Sequence, residues 1–254
     1  MIAALKKVRH GLGMGLLLAA WMTAPASAGA AEAGTALVRP SDAGLIASIA
    51  RGGRLYDKWF KELPDTPGPA TRHSLYPETG PYAGKAPDTW RCKECHGWDG
   101  LGKNGAYGSG KHATGIKGIQ AMDGGDPERV AALLKAPEHG YGGLLTDRDL
   151  TDLAHFVTRG QWDMDAVIDR AGKTIKGGDP VMGQVYYLTL CAQCHGRDGK
   201  AKGMPKLGEV VNDNPWESLH KILNGQPGDD MPALRGLDRR IVKDLLAFLQ
   251  TLPR

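Results

Sequence analysis

Apolar side chains recur at helical spacing in two short stretches of the chain. The stripes are Leu150, Leu153 and Val157 in one stretch and Ile241, Leu245 and Phe248 in the other. Residues three and four positions apart share one face of an α-helix, so each stretch predicts an amphipathic helix with one buried side. Thr146 is predicted to cap the first helix, with Asp147 and Asp149 in its first turn.

The N-terminal stretch has a different pattern, with basic residues ahead of a single apolar run. Lys6, Lys7 and Arg9 precede the run at residues 11–21, and small residues at 26–28 follow it. This pattern predicts a cleavable signal peptide over residues 1–28. A membrane anchor is the alternative, but the run is shorter than the ~20 residues of a spanning helix. No later stretch is long and apolar enough to span, so we expect no membrane span in the mature chain.

The two amphipathic stretches belong to an internal repeat. The stretch that starts at Leu145 overlays the one that starts at Leu237, at an offset of 92 residues. Upstream, residues 53–57 resemble residues 183–187 at an offset of 130. In each copy a cysteine-containing pentapeptide lies between this upstream stretch and the amphipathic stretch, and the two pentapeptides are related by an offset of 99. Each copy is therefore predicted to contain a short helix, the pentapeptide, an irregular loop and a closing amphipathic helix.

The unequal offsets locate an insertion in the first copy. Between its first helix and its pentapeptide it carries 31 extra residues, which are rich in proline and predict a loop or arm. This insertion is interpreted either as a solvated connector packed on its domain or as a partner surface or lid. The predicted organisation is an N-terminal extension at 29–52, a first domain at 53–162 with the insertion, a linker at 163–177 and a second domain at 178–254.

All four cysteines lie in two CxxCH pentapeptides. In this motif two thiols form thioethers with the vinyl groups of a c-type haem, and the histidine ligates its iron. The predicted thioether residues are Cys92 and Cys95 in the first copy and Cys191 and Cys194 in the second, with His96 and His195 as iron ligands. On a helical turn these side chains share one face and reach the same porphyrin. The sequence therefore predicts two covalently bound haem c groups.

Two other chemistries use paired cysteines, namely a zinc ribbon and local disulfides. Ribbon pairs usually lie ~15–20 residues apart, whereas 95 residues separate Cys95 from Cys191, and both pairs carry the trailing histidine. Local disulfides in an exported chain stay open as an alternative. The net charge is +4 for the whole chain and +1 without the signal, with no dense basic stripe, which excludes an ordinary nucleic-acid binder.

The repeated modules and their CxxCH motifs resemble the class I cytochrome c family, in particular two-domain dihaem members such as the cytochrome c4 group. The resemblance covers about residues 53–160 and 178–254. It implies an all-α, loop-rich fold of two tandem class I cytochrome c domains, each wrapped around one covalent haem c. It also implies a periplasmic location, because c-type haems in bacteria are attached outside the cytoplasmic membrane.

The second axial ligand of each iron is the main open question. Class I cytochromes usually supply a methionine from the loop before the last helix, and Met231 lies there in the second copy. Subtracting the offset of 92 places His139 at the same point of the first copy, which predicts His96/His139 ligation for haem 1. His112, Met122 and an open five-coordinate iron are the alternatives at haem 1.

The predicted function is electron transfer between an oxidoreductase and a downstream acceptor. Thioether sulfur raises a haem potential relative to two imidazoles, so electrons are expected to enter at haem 1 and leave from haem 2. The predicted partners are redox proteins: a donor dehydrogenase, and an oxidase or cytochrome as acceptor. The alternatives are a dihaem enzyme acting on a small sulfur compound such as thiosulfate, a dihaem peroxidase, and a haem subunit docked to a dehydrogenase. Thiosulfate enzymes typically use a cysteine ligand, and here all four cysteines are assigned to thioethers.

Overall fold

The closing amphipathic helices predicted from the apolar stripes are both present. The computed structural model describes residues 40–254, so the predicted signal peptide and the first residues of the extension lie outside the described part. The α-helices of the described part are α1 (Pro40–Glu62), α2 (Cys92–His96), α3 (Pro127–Lys135), α4 (Asp147–Arg159), α5 (Pro180–Leu190), α6 (Ala192–His195), α7 (Leu207–Asp213), α8 (Pro215–Asn224) and α9 (Arg239–Leu249). A small antiparallel hairpin, β1 (Ile168–Asp169) and β2 (Thr174–Ile175), lies between α4 and α5.

Helices α4 and α9 are capped as the sequence indicates. Thr146 accepts a hydrogen bond from the Asp149 amide, and the Asp149 side chain accepts one in return from the Thr146 amide, which confirms the predicted cap as a full capping box. Asp238 accepts from the Arg240 amide at the start of α9. Leu150, Leu153, Val157, Leu245 and Phe248 of the two stripes are buried, and Ile241 is partly buried.

The predicted register of the first helices is wrong by one residue. A Cβ built on Gly52 would lie 2.0 Å from the carbonyl oxygen of Asp152, and one built on Gly183 would lie 2.0 Å from that of Asp244. Equivalent glycines therefore let α1 and α5 approach α4 and α9. Gly52 and Gly183 differ by 131 positions, and the pentapeptides differ by 99. The insertion therefore has 32 residues rather than 31. The sequence alone does not reveal the correct register, because two adjacent glycines, Gly52 and Gly53, both fit the repeat. Only the packing shows which of them faces the closing helix.

A second pair of equivalent contacts supports the corrected register. Tyr56 Oη donates to the carbonyl of Gly97 at 2.6 Å, and Tyr187 Oη donates to that of Gly196 at 2.5 Å. Both glycines directly follow a CxxCH motif and have φ of +78°, a left-handed conformation that favours glycine. The first helix of each copy is thus tied to the chain just beyond the motif.

The predicted irregular loop after each motif contains further helices, so that part of the prediction is wrong. Helix α3 lies in the first copy, and α7 and α8 lie in the second. Asp126 caps α3 and Asn214 caps α8, and a proline follows each of them at the first helical position. This Asx-Pro pair is a helix-start signal. The apolar residues that follow are too few to show clear periodicity.

The apolar interior of residues 40–254 falls into two clusters. One cluster centres on α1, α3 and α4, and the other on α5, α8 and α9. Helix α1 runs across the predicted 52/53 boundary, with Ile49 buried in the first cluster. The stretch predicted as a linker forms the β1–β2 hairpin, and Ile168 is fully buried in the second cluster. Among the described residues, no helix combines the length and hydropathy needed to cross a membrane.

Candidate haem attachment sites

Both CxxCH motifs fold as a single helical turn, as their spacing predicts. Helix α2 holds the first motif, and the second comprises Cys191 and helix α6. Each turn ends at a glycine. The amide six residues after the motif histidine then donates to the carbonyl of that histidine: Gly102 to His96 at 2.8 Å and Ala201 to His195 at 3.0 Å. The two motifs therefore share one local fold. Their cysteine and histidine side chains project from one short turn.

The four cysteines are free thiols in the structure. Burial raises the pKa of Cys92 to about 11, of Cys95 to about 12 and of Cys191 to about 11, so these three thiols are neutral near pH 7. The two pairs do not converge on one metal site. Within residues 40–254, no group of three or more histidine, cysteine or acidic side chains is arranged to hold a metal ion.

His96 is held in the tautomer that leaves a ring nitrogen available. Its Nδ1 lies 2.8 Å from the carbonyl oxygen of Lys117. A carbonyl only accepts, so Nδ1 carries the proton and Nε2 presents its lone pair. Burial lowers the pKa of His96 and favours the neutral ring. An Nδ1–H bonded to a backbone carbonyl is the usual outer support of a metal-ligating histidine.

His195 lies in an equivalent turn, but its Nδ1 lacks the hydrogen bond that His96 makes. Its Nδ1 is buried and has no partner within the described part of the chain, and burial lowers its pKa. The chain beyond each motif returns in the same way: the Ile119 amide donates to the Gly100 carbonyl at 2.7 Å, and the Leu207 amide donates to Gly199 at 3.0 Å. Two free thiols and one neutral imidazole in each copy are the donor set that a haem c requires, so the residues fit this group.

His139 lies near the first motif, and Met231 lies at the matching point of the second copy. His139 is in the loop between α3 and α4, half-buried, and Met231 is in the loop between α8 and α9. Burial lowers the pKa of His96 first, and the imidazole of His139 is close enough to lower it further. This electrostatic interaction relates His139 to the first motif, and its role as a ligand stays a prediction.

The alternative ligands at the first site have other neighbours. The ring of His112 stacks on Tyr107 at a centroid distance of 4.5 Å and on Tyr82 at 5.8 Å, and its Nδ1 lies 3.6 Å from Glu94 Oε2. Met122 is partly buried against the first apolar cluster. Three other histidines make contacts elsewhere in the protein: His73 and His220 are buried, and His155 Nδ1 lies 2.8 Å from Ser48 Oγ.

A charged network beside the first motif was not predicted. Asp57 is 1% exposed and binds Arg91 at 2.6 Å and also Lys221, which lowers its pKa against the opposing effect of burial. Trp98 lies under Lys93 at 4.8 Å and Lys221 at 5.6 Å, measured from Nζ to the ring centroid. Since Lys221 is 164 residues from Asp57, no local pattern reveals the pair.

The comparisons with known proteins point to the same chemistry in the second copy. Residues 178–249 match the family model described as cytochrome c oxidase, cbb3-type, subunit III. The matched segment contains the second CxxCH motif and Met231. No curated protein matches the chain. The match supports a cytochrome c domain over residues 178–249, and the cytochrome c class carries covalently bound haem c.

Proposed function

We propose that the chain is a periplasmic dihaem cytochrome c that transfers electrons between an oxidoreductase and a downstream acceptor. The observation that carries the proposal is the equivalence of the two motifs. Each is a single turn ended by a left-handed glycine, whose carbonyl accepts a bond from a tyrosine of the preceding long helix. Since the second motif lies in the segment that matches the cytochrome family model, the same local fold around the first supports a second haem there.

The residue assignments follow the two copies. Cys92 and Cys95 hold the first haem, with His96 and His139 as axial ligands. The second haem is held by Cys191 and Cys194, with His195 and Met231 as axial ligands. A bound haem c supplies an iron that cycles between the ferric and ferrous states. Two imidazoles favour the ferric state more than an imidazole and a thioether do, so the first copy is the low-potential side and the point of electron entry.

The proposed organisation is a signal peptide over 1–28 and two modules near 53–162 and 178–254. The first apolar cluster draws only on the chain up to Val157, which supports this division, whereas the second cluster also includes Trp98 and Tyr107 of the first module. An enzyme acting on thiosulfate is less well supported, because the cysteine ligand typical of that chemistry has no candidate outside the two motifs. Donor and acceptor are proposed by chemical class only, as redox proteins.

The haem count tests the proposal directly. The intact protein is expected to carry two haems by mass spectrometry and by the pyridine haemochrome spectrum. The Cys92→Ala/Cys95→Ala variant and the Cys191→Ala/Cys194→Ala variant should each retain one. A wild-type protein with a single haem would refute the dihaem assignment. Turnover of thiosulfate by the oxidised two-haem protein would replace the carrier function with the enzymatic one.

A further inference from the structure

His73 lies in the proline-rich insertion and contacts the loop that carries His139. Its Nε2 is 3.0 Å from the backbone carbonyl oxygen of His139. The side chain is buried, with the residue 5% exposed. The two residues are 66 positions apart, and the insertion that supplies His73 has no counterpart in the second copy. This contact is therefore specific to the first module.

The direction of this hydrogen bond is fixed by the other ring nitrogen. The Leu75 amide donates to His73 Nδ1 at 3.1 Å, so Nδ1 is an acceptor without a proton. In a neutral imidazole the proton then resides on Nε2, which donates to the His139 carbonyl. Both ring nitrogens of His73 are satisfied inside the protein. The ring is a fixed bridge between the insertion and the loop of His139.

The insertion itself is anchored close to the first motif. The His73 amide donates to Thr89 Oγ1 at 2.9 Å, and that hydroxyl donates to the Ala86 carbonyl at 2.6 Å. The ring of His73 packs edge-on against Trp90 at a centroid distance of 4.4 Å. Trp90 is two residues before Cys92, and its carbonyl accepts from Tyr141 Oη at 2.8 Å. His73 is thus held by the segment that enters the motif.

The two copies differ in how their candidate ligand loops are stiffened. In the second copy Pro232 follows Met231 and restricts the backbone locally. In the first copy the corresponding residue is Gly140, which adopts φ of +70°, and Gly142 and Gly143 follow. Glycines give the unrestrained chain more freedom. The first loop therefore needs a restraint from outside, and the His73 bond is attached at its ligand residue.

We propose that His73 is a positioning residue for the first haem site: it fixes the peptide of His139 so that the imidazole is held toward the iron. This inference rests on the proposed function, in which His139 is an axial ligand. The 32-residue insertion is then a brace for the ligand loop. Loss of the brace frees the loop, so the iron is open for a larger fraction of the time.

The test compares three substitutions in the protein carrying both haems. His73→Phe keeps a ring against Trp90 but removes the donor, while His73→Gln loses the ring and keeps an N–H at a similar reach. His155→Phe is the matched control, because it removes another histidine whose ring bonds to Ser48. The measurements are the rate of carbon monoxide binding to the ferrous protein and the low-spin ferric EPR signal of bis-imidazole haem.

We expect His73→Phe to bind carbon monoxide about tenfold faster than wild type. The reason is that the buried His139 carbonyl loses its hydrogen-bond donor, which weakens the restraint on the ligand loop. His73→Gln should stay closer to wild type, and His155→Phe should equal it. A folded His73→Phe protein with the wild-type rate and EPR signal would overturn the inference. If that variant does not fold, Thr89→Val is tested in its place. This substitution is isosteric and removes the hydrogen-bond acceptor of the His73 amide. A faster rate in Thr89→Val supports the brace, and an unchanged rate overturns it.

The His139→Ala variant separates this inference from the proposed function. If it leaves the bis-imidazole signal unchanged, the ligand assignment fails, and the role of His73 fails with it. If His139→Ala abolishes the signal while the His73 and Thr89 variants change nothing, the ligand assignment stands and only the brace is wrong.

Discussion

Lys221 on α8 binds the carboxylate of Asp57 on α1, and so joins the helix that precedes the first CxxCH motif to a helix of the second copy. The side chain of Asp57 is 2% exposed and that of Lys221 is 16% exposed. Arg91, the residue before Cys92, binds the other carboxylate oxygen of Asp57 at 2.6 Å. One buried anion therefore connects both copies with the entry to the first motif.

Replacing Lys221 by methionine is expected to destabilise the protein by about 2 kcal/mol. Breaking a buried ion pair costs ~3–5 kcal/mol when it leaves a charge alone, but Arg91 stays beside Asp57 and reduces the loss. The free energy of unfolding from chemical denaturation measures the effect. Lys206→Met is the matched control, since Lys206 pairs with Glu209 on the surface with about half of each side chain exposed, and such pairs contribute ~0–1 kcal/mol. Equal losses in the two variants would contradict a buried interface.

The buried ring of His220 predicts a dependence of stability on pH. Its Nε2 donates to the Gly53 carbonyl at 2.9 Å, and burial lowers its pKa from 6.5 to about 4, with Lys221 and Arg235 adding to the shift and Asp57 opposing it. Between these values the unfolded chain binds the proton and the folded protein does not. Stability therefore falls as the pH drops from 6.5 to about 4, by about 3 kcal/mol in total.

The His220→Gln variant isolates this contribution. Its amide retains a donor for the Gly53 carbonyl and does not titrate, so its free energy of unfolding should lose most of the slope between pH 6.5 and 4. The comparison is made with the wild-type protein over the same pH series. A variant that keeps the full wild-type slope would show that another group is responsible.

Gly52→Ala should be one of the most damaging small substitutions in the first copy. Its Cβ would lie 2.0 Å from the Asp152 carbonyl oxygen and 2.8 Å from Phe156 Cβ, so α1 has to move away from α4. Overpacking of this kind costs about 1–3 kcal/mol, and backbone contact favours the upper end. The fall in Tm, or the change in unfolding free energy, measures it. Gly44→Ala in the same helix is the control.

At Gly44 an added Cβ meets no atom within 4 Å. Alanine there should be neutral or stabilise the helix by up to ~1 kcal/mol, because it is the better helix former. Opposite signs for two glycines eight residues apart would confirm the helix contact. Destabilisation of similar size at both positions would instead point to a general intolerance of α1.

The sequence predicts local features of this molecule well and distant ones poorly. The CxxCH turns and the capping box at Thr146 depend on residues within five positions, and the structure has both. The sequence alone does not fix the register of the first helix, since Gly52 and Gly53 are indistinguishable until α4 is packed beside them. The bond from Lys221 to Asp57 and that from His73 to His139 depend on tertiary structure alone. The two contacts adjoin Arg91 and Trp90, respectively, the two residues that lead into the first motif.

Exchange of the candidate sixth ligands is expected to reverse the order of the two potentials. His139→Met places a thioether at the first site, and Met231→His places a second imidazole at the other. Thioether ligation favours ferrous iron, so the first change should raise the potential of haem 1 and the second should lower that of haem 2. A spectroscopic redox titration of each variant against wild type measures both waves.

The single His139→Met variant should bring the two waves together. Gly140 leaves its loop less restrained than the Met231-Pro232 loop. The new thioether bond should therefore be weaker, and this variant should bind more carbon monoxide than wild type. The Met231→His variant should leave the wave of haem 1 in place. If the wave of haem 1 shifts instead, Met231 is not the ligand of haem 2.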